Sequence, residues 1–190
     1  MEITDQPTAN LRQESIKNGL IMAAVSIVIF LFMNYVLPDM MGSTIMSVLQ
    51  IVIGIGLAIA LTIDLRKKAG GYWSFSQALL HIFVMFMISA VVVYFFTIVF
   101  GKYIDTTYPE RMKEMIYSKT EQMLNSFGME QDKIDEAMSN QAEKLEQQFN
   151  PTFSQMIVGL GIQLVMYFVG ALIFAAIFKK NKPLYLEVEE

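Results

Sequence analysis

Four stretches of this chain carry no charged side chain for nineteen or more consecutive positions: residues 19–37, 43–63, 75–100 and 153–178. A helix rises about 1.5 Å per residue, so the shortest of them covers roughly 28 Å, close to the ~30 Å hydrocarbon core of a bilayer. A soluble domain of this length would hide its apolar residues in one core, but runs this long have no core to enter. Lipid is therefore the expected solvent, and helices are the form that leaves no backbone group unsatisfied in it.

The first run could also be read as a cleaved signal peptide. It is longer than a signal core and runs into Asn34-Tyr35 and Pro38-Asp39 without a small-x-small cleavage site, so it reads as a retained anchor. Spans are expected at about 19–37, 43–65, 75–100 and 153–178, with tails at 1–18 and 179–190. Pro38, Gly70-Gly71 and Asn150-Pro151 punctuate the connections.

Lysine and arginine set the orientation, because positive flanks resist translocation. Arg12, Lys17, Arg66, Lys67, Lys68, Lys179, Lys180 and Lys182 are eight of the fourteen positive residues, and all lie in short segments on one side of a four-span chain. Both termini are thus expected to be cytoplasmic. Segment 101–152, with six positive residues against ten acids, is expected outside. Tyr72, Trp73, Tyr94 and Tyr103 fall near span ends, as interfacial aromatics do.

Within that outer segment two amphipathic helices are expected. Thr107 and Glu110 fit a capping box with Pro109 in the first turn, and Gly128 suits a left-handed stop. Apolar residues recur at helical spacing through Met112, Met115, Ile116, Met123, Leu124 and Phe127. A second stripe runs through Ile134, Met138, Ala142, Leu145 and Phe149. Isolated helices this short are marginal in water. The stripes Met112, Ile116, Met123, Phe127 and Ile134, Met138, Leu145, Phe149 should therefore bury each other in a hairpin, or meet a partner; helices lying flat on the outer leaflet are a third arrangement.

Polar residues inside spans are the usual functional leads. Here they are Asn34, Gln50, Gln77, His81 and Gln163, with Asp64 at a span end. Gln50 and Gln163 fall at similar depth and are expected to bond spans two and four. Gln77 and His81, four apart, should share a helical face within reach of Asp64. Gly54, Gly56 and Ala58 on span two, with Gly159, Gly161, Gly170 and Ala171 on span four, suggest close contact between these two helices. These polar residues read first as glue between helices; a proton or ligand site at His81 is the sharper alternative.

Composition excludes much chemistry. Without cysteine there is no disulfide or thiol nucleophile, and one histidine cannot make a multi-histidine metal site. The net charge of −4 offers no basic field for nucleic acid. Met40-Met41, Met112 and Met115 raise Cu(I) as a ligand, but most methionines lie in spans or apolar stripes, where they fill space. No phosphate loop, nucleophile elbow, zinc-protease motif or paired catalytic carboxylates occur. No catalytic residue, cofactor or metal is expected.

The layout also resembles a known family. Four spans, Gly71-Tyr-Trp-Ser-Phe-Ser-Gln-Ala78 opening the third, Tyr103-Ile104-Asp105 closing it, and an acidic helical insert before the fourth are similar to the bacterial membrane family catalogued as domain of unknown function 4199, over about residues 14–180. The resemblance implies a bacterial inner-membrane location and no established activity.

The fold class expected is an all-α membrane protein: a four-helix transmembrane bundle with an exoplasmic amphipathic helical hairpin between spans 3 and 4. The expected role is a noncatalytic scaffold or accessory subunit. Its partners would be the lipid bilayer and either a homo-oligomer or a membrane or periplasmic protein. An oligomeric small-solute transporter or channel subunit is the alternative, and an enzyme is third.

Overall fold

The computed structural model describes residues 6–149 and 151–182. The far ends of both expected tails, and Asn150 before the fourth span, lie outside the described residues. Six α-helices make up the architecture: α1 (Gln6–Tyr35), α2 (Thr44–Lys68), α3 (Phe75–Val99), α4 (Tyr108–Ser126), α5 (Gln131–Phe149) and α6 (Phe153–Phe178). No strand occurs among the described residues. Four helical stretches are long and apolar enough to cross a membrane: Asn10–Tyr35, Thr44–Lys68, Phe75–Ile104 and Phe153–Phe178.

The first helix begins well before the apolar run. Residues 6–18, expected as a tail, are largely helical, and Pro7 is tolerated because its missing amide falls in the first turn. α1 ends at Tyr35, since Pro38 disfavours helix at the residue before it; Leu37 takes φ −129° and ψ 50°. α2 starts at Thr44 because Ser43 Oγ accepts the Met46 amide at 3.2 Å. It stops in a Schellman turn, with the Gly71 amide on the Arg66 carbonyl and the Gly70 amide on the Lys67 carbonyl. Gly70 sits at φ +86°, a conformation that costs a side-chain-bearing residue free energy.

The third and fourth spans open in the same way. Ser74 and Gln77 exchange bonds, Gln77 N to Ser74 Oγ at 3.3 Å and Ser74 N to Gln77 Oε1 at 3.1 Å. Thr152 and Gln155 repeat the pattern at 3.4 and 2.8 Å. Both are capping boxes written S/T-x-x-Q.

The described residues form two compact units, residues 6–93 with 162–182, and residues 94–149 with 151–161. In the first, Ala58 and Leu65 of α2, Trp73 just before α3, Ala78, Ile82, Met85 and Phe86 of α3, and Ala171 and Ala175 of α6 make one buried cluster. Four alanines let helices approach, and large side chains fill the space between them. Phe86 meets Phe174 edge-on at 5.4 Å, and Phe83 meets Phe168 at 5.3 Å. Outward faces stay greasy: Ile45 is 79% exposed and Met166 67%. Contiguous apolar surface of this kind is a liability in water and ordinary in lipid.

Of the small residues expected to join spans two and four, Ala58 and Ala171 share the buried cluster but the glycines do not pack against the opposite span. A Cβ added at Gly54, Gly56 or Gly161 would meet nothing within 4 Å. Close approach occurs at Gly19 on α1 instead, where a Cβ would lie 2.7 Å from the Met85 carbonyl oxygen and 2.8 Å from Ile88 Cβ. Among these glycines, Gly19 is the position where a missing side chain is required.

In the second unit α3 passes into a π-helical turn, Phe100–Ile104, closed by the Asp105 amide on the Phe100 carbonyl. The expected Thr107 capping box is absent. Thr107 has helical backbone angles and its side chain accepts no cap bond; Asp105 Oδ1 instead accepts from Thr107 N and Oγ1, and its Oδ2 pairs with Arg111. α4 stops at Gly128, φ +68°, in a second Schellman turn: Gly128 N to Asn125 O and Met129 N to Leu124 O. Between α4 and α5, Tyr108 lies against Phe149 at 6.3 Å and Lys113 pairs with Glu146.

Candidate functional site

The densest polar constellation lies where the first turns of α1 meet α2 and α3. Leu11, Glu14, Ser15 and Asn18 are three or four residues apart, so they share one face of α1. Ser15 is fully buried and Asn18 nearly so. Buried polar groups without partners are costly, and both find them: Ser15 on α1 and α3, Asn18 on α2.

Ser15 Oγ lies 2.8 Å from the Leu11 carbonyl oxygen and 3.0 Å from His81 Nδ1 on α3. A hydroxyl has one proton. Given to Leu11, it leaves Oγ as the acceptor for His81, so the imidazole proton belongs on Nδ1. Asn18 Nδ2 donates to Asp64 Oδ2 at 2.9 Å and to the Leu61 carbonyl at 3.3 Å, both on α2. Lys68, one turn beyond Asp64, pairs with Asp64 at 2.7 Å and reaches back to Glu14 on α1. Three helices are thus bolted together by a chain from His81 to Ser15 and from Asn18 to Asp64, Lys68 and Glu14.

Some expected contacts are made and others are not. His81 is buried on α3 as expected, but its partner is Ser15 rather than Asp64. Gln77 is exposed and spends its side chain on the α3 cap, so it does not join His81. Gln50 is exposed, Gln163 is half-buried, and no bond joins them among the described residues. Asn34 is buried at 2% exposure. Trp73, expected at the interface, is buried and donates from Nε1 to the Phe178 carbonyl at 2.8 Å, which satisfies a carbonyl at the C-terminus of α6. Thr62 Oγ1 is buried with no partner among the described residues, and nothing in the structure explains it.

Sequence reasoning missed Ser15 and Asn18 because they lie outside the apolar run. The available signal was their spacing with Leu11 and Glu14 on one helical face. Among the described residues no three His, Asp or Glu side chains converge as a metal site would require.

The α4–α5 stripe divides. Ile134 and Leu145 are 1% and 2% exposed, and Met112, Ile116, Met138 and Phe149 are half-buried. Met123 is 51% exposed and Phe127 75%, so the stripe opens toward the turn. Lys113, held by Glu146 and then by Glu110, keeps its proton to higher pH than a free lysine. Burial likewise pushes the Tyr108 phenol up, against a smaller opposing pull from Arg111.

An all-helical chain with four membrane-length apolar helices and a polar bolt at the end of three of them defines a multi-pass membrane protein. The chain belongs to the family described as protein of unknown function (DUF4199), whose model matches residues 17–180. No curated protein and no solved structure matches it.

Proposed function

We propose that the protein is a noncatalytic scaffold or accessory subunit of a bacterial inner membrane, with both termini cytoplasmic. Its α4–α5 segment stands in the periplasm as a helical hairpin that mediates self-association or partner binding. One observation carries the reading. The two helices bury Ile134 and Leu145 against their own unit but leave Met123, Phe127 and Met129 at 51%, 75% and 40% exposure beside the turn. An exposed aromatic among methionines, with the exposed acids Glu121, Glu130, Asp132 and Asp135 close by in the sequence, has the composition of an interface centre with a charged rim.

The polar bolt supports a structural role for the other end. Its groups bond one another across helices, which leaves fewer of them to line a transport path. A transporter would need a polar, water-accessible path lined by Gln50, Gln77, His81 or Gln163, and Gln77 and His81 are engaged in the α3 cap and the Ser15 bond.

The test is cross-linking and size measurement in mild detergent, comparing the native chain with the Met123→Ser, Phe127→Ser double variant. The proposal expects an oligomer or defined complex that the variant loses while keeping its helix content. An identical complex in both would sink it, and solute flux in proteoliposomes would favour the transporter.

A further inference from the structure

One end of the first unit collects eight cations, most of them without a carboxylate within ion-pair distance among the described residues; Glu2, Asp5, Glu187, Glu189 and Glu190 lie outside those residues. Arg12 and Lys17 project from α1, Arg66 and Lys67 from the last turn of α2, and Lys179, Lys180 and Lys182 follow α6. Of the eight cations at this end only Lys68 has carboxylate partners, Glu14 and Asp64. The other seven form no ion pair among the described residues.

The fold stitches two of these groups together. Trp73 and Lys180 pair through their backbones in both directions, at 2.9 and 3.1 Å. The Gly70 and Gly71 amides, three and two residues before Trp73, are held by the Lys67 and Arg66 carbonyls. The ends of α2 and α6 are therefore joined through a few residues of backbone. Lys180 Nζ also stands 5.0 Å over the Tyr72 ring. Two helix C-termini contribute roughly −0.5 charge each and the α3 N-terminus offsets about +0.5, far too little to cancel this many cations.

An apolar face runs up to the same cations. On α6, Val169, Ile173 and Ile177 are 47%, 56% and 67% exposed, and Ile177 is two residues from Lys179. A free phosphate would use only the cations. A phospholipid would use both, with acyl chains along the α6 face and its headgroup at the lysines.

We propose that this end binds the phosphate headgroups of anionic glycerophospholipids, through Lys179, Lys180 and Lys182 together with Arg66 and Lys67. The proposal is independent of what the α4–α5 turn binds. Each cation removed lowers the preference for anionic over zwitterionic lipid about fivefold, so three lower it on the order of 100-fold.

The test uses the full chain in uncharged detergent. Thermal unfolding is followed with added phosphatidylglycerol, phosphatidylcholine of the same acyl chains, or inorganic phosphate. The expected result is a rise in Tm with phosphatidylglycerol well above that with phosphatidylcholine, none with inorganic phosphate, and loss of the difference in about 1 M salt, where the Debye length is roughly 3 Å. The K179Q/K180Q/K182Q variant keeps the backbone pairing of Lys180 and should lose the preference; K119Q/K133Q/K144Q, in the other unit, should retain it. Equal shifts with the two lipids, a salt-insensitive preference, or an unchanged preference in the first variant would overturn the proposal. A shift reproduced by inorganic phosphate would assign a free anion instead. Should the first variant fail to fold, the lipid comparison and salt dependence of the native chain decide alone.

Discussion

Ser15 of α1 and His81 of α3, sixty-six residues apart, meet at 3.0 Å with both side chains buried. The contact fixes more than distance, because the serine's single proton lies toward Leu11 and the histidine must donate. Placed in the first turns of α1, it orients α1 against α3.

That assignment is measurable. In nitrogen NMR of the neutral ring, the proton should reside on Nδ1. Ser15→Ala should relax the tautomer preference and cost about 1 kcal/mol, between the ~0.6 kcal/mol average of bonds between membrane helices and the larger penalty of an unpaired buried donor. A native ring protonated on Nε2 would refute the proton count.

Glycine positions should separate sharply. Gly19→Ala forces a methyl against the Met85 backbone and Ile88, so it should cost about 1–3 kcal/mol by overpacking, read from unfolding in mixed detergent. Gly54→Ala enters open space and should fall within about 0.5 kcal/mol of native. Equal effects at the two sites would contradict the packing described.

The contrast between Gly19 and Gly54, and the Ser15 contact, also show what the sequence could and could not disclose. The spans were legible because lipid imposes a minimum uncharged run, and the Gly128 stop because few residues accept a left-handed turn. Gly19 was not legible, since glycine at the head of an apolar run looks no different from the uncrowded Gly54 and Gly56. Ser15 and Asn18 read as tail because hydropathy marks where lipid begins, while α1 begins more than a turn earlier. Gln77 was taken for an intramembrane contact although Ser74-x-x-Gln77 already spelled a cap, as did Thr152-x-x-Gln155. Thr107 and Glu110 spelled one as well, but Asp105 competes for the Thr107 amide and hydroxyl.

Alkaline pH should loosen the α4–α5 pair. Tyr108 and Lys113 both hold their protons above their ordinary values of 10.0 and 10.5, the first through burial and the second through Glu146 and Glu110. A group whose value is raised by folding stabilises fully below its unfolded pKa and loses that contribution as pH climbs through the folded one. Hydrogen exchange across residues 108–149 should stay slow to about pH 10, after correction for the intrinsic rate, and accelerate above it. Tyr108→Phe should delay that onset to higher pH; an onset near neutrality, or one indifferent to Tyr108, would contradict the account.

The central proposal, a chain threaded four times through lipid with residues 101–152 on the side away from the termini, is directly testable because the sequence has no cysteine. Single cysteines at the exposed positions Gln122→Cys and Asn181→Cys would be challenged in intact cells with a membrane-impermeant maleimide. The account predicts that position 122 reacts at once and position 181 only after the membrane is opened. Labelling of both in intact cells, or of 181 alone, would contradict it.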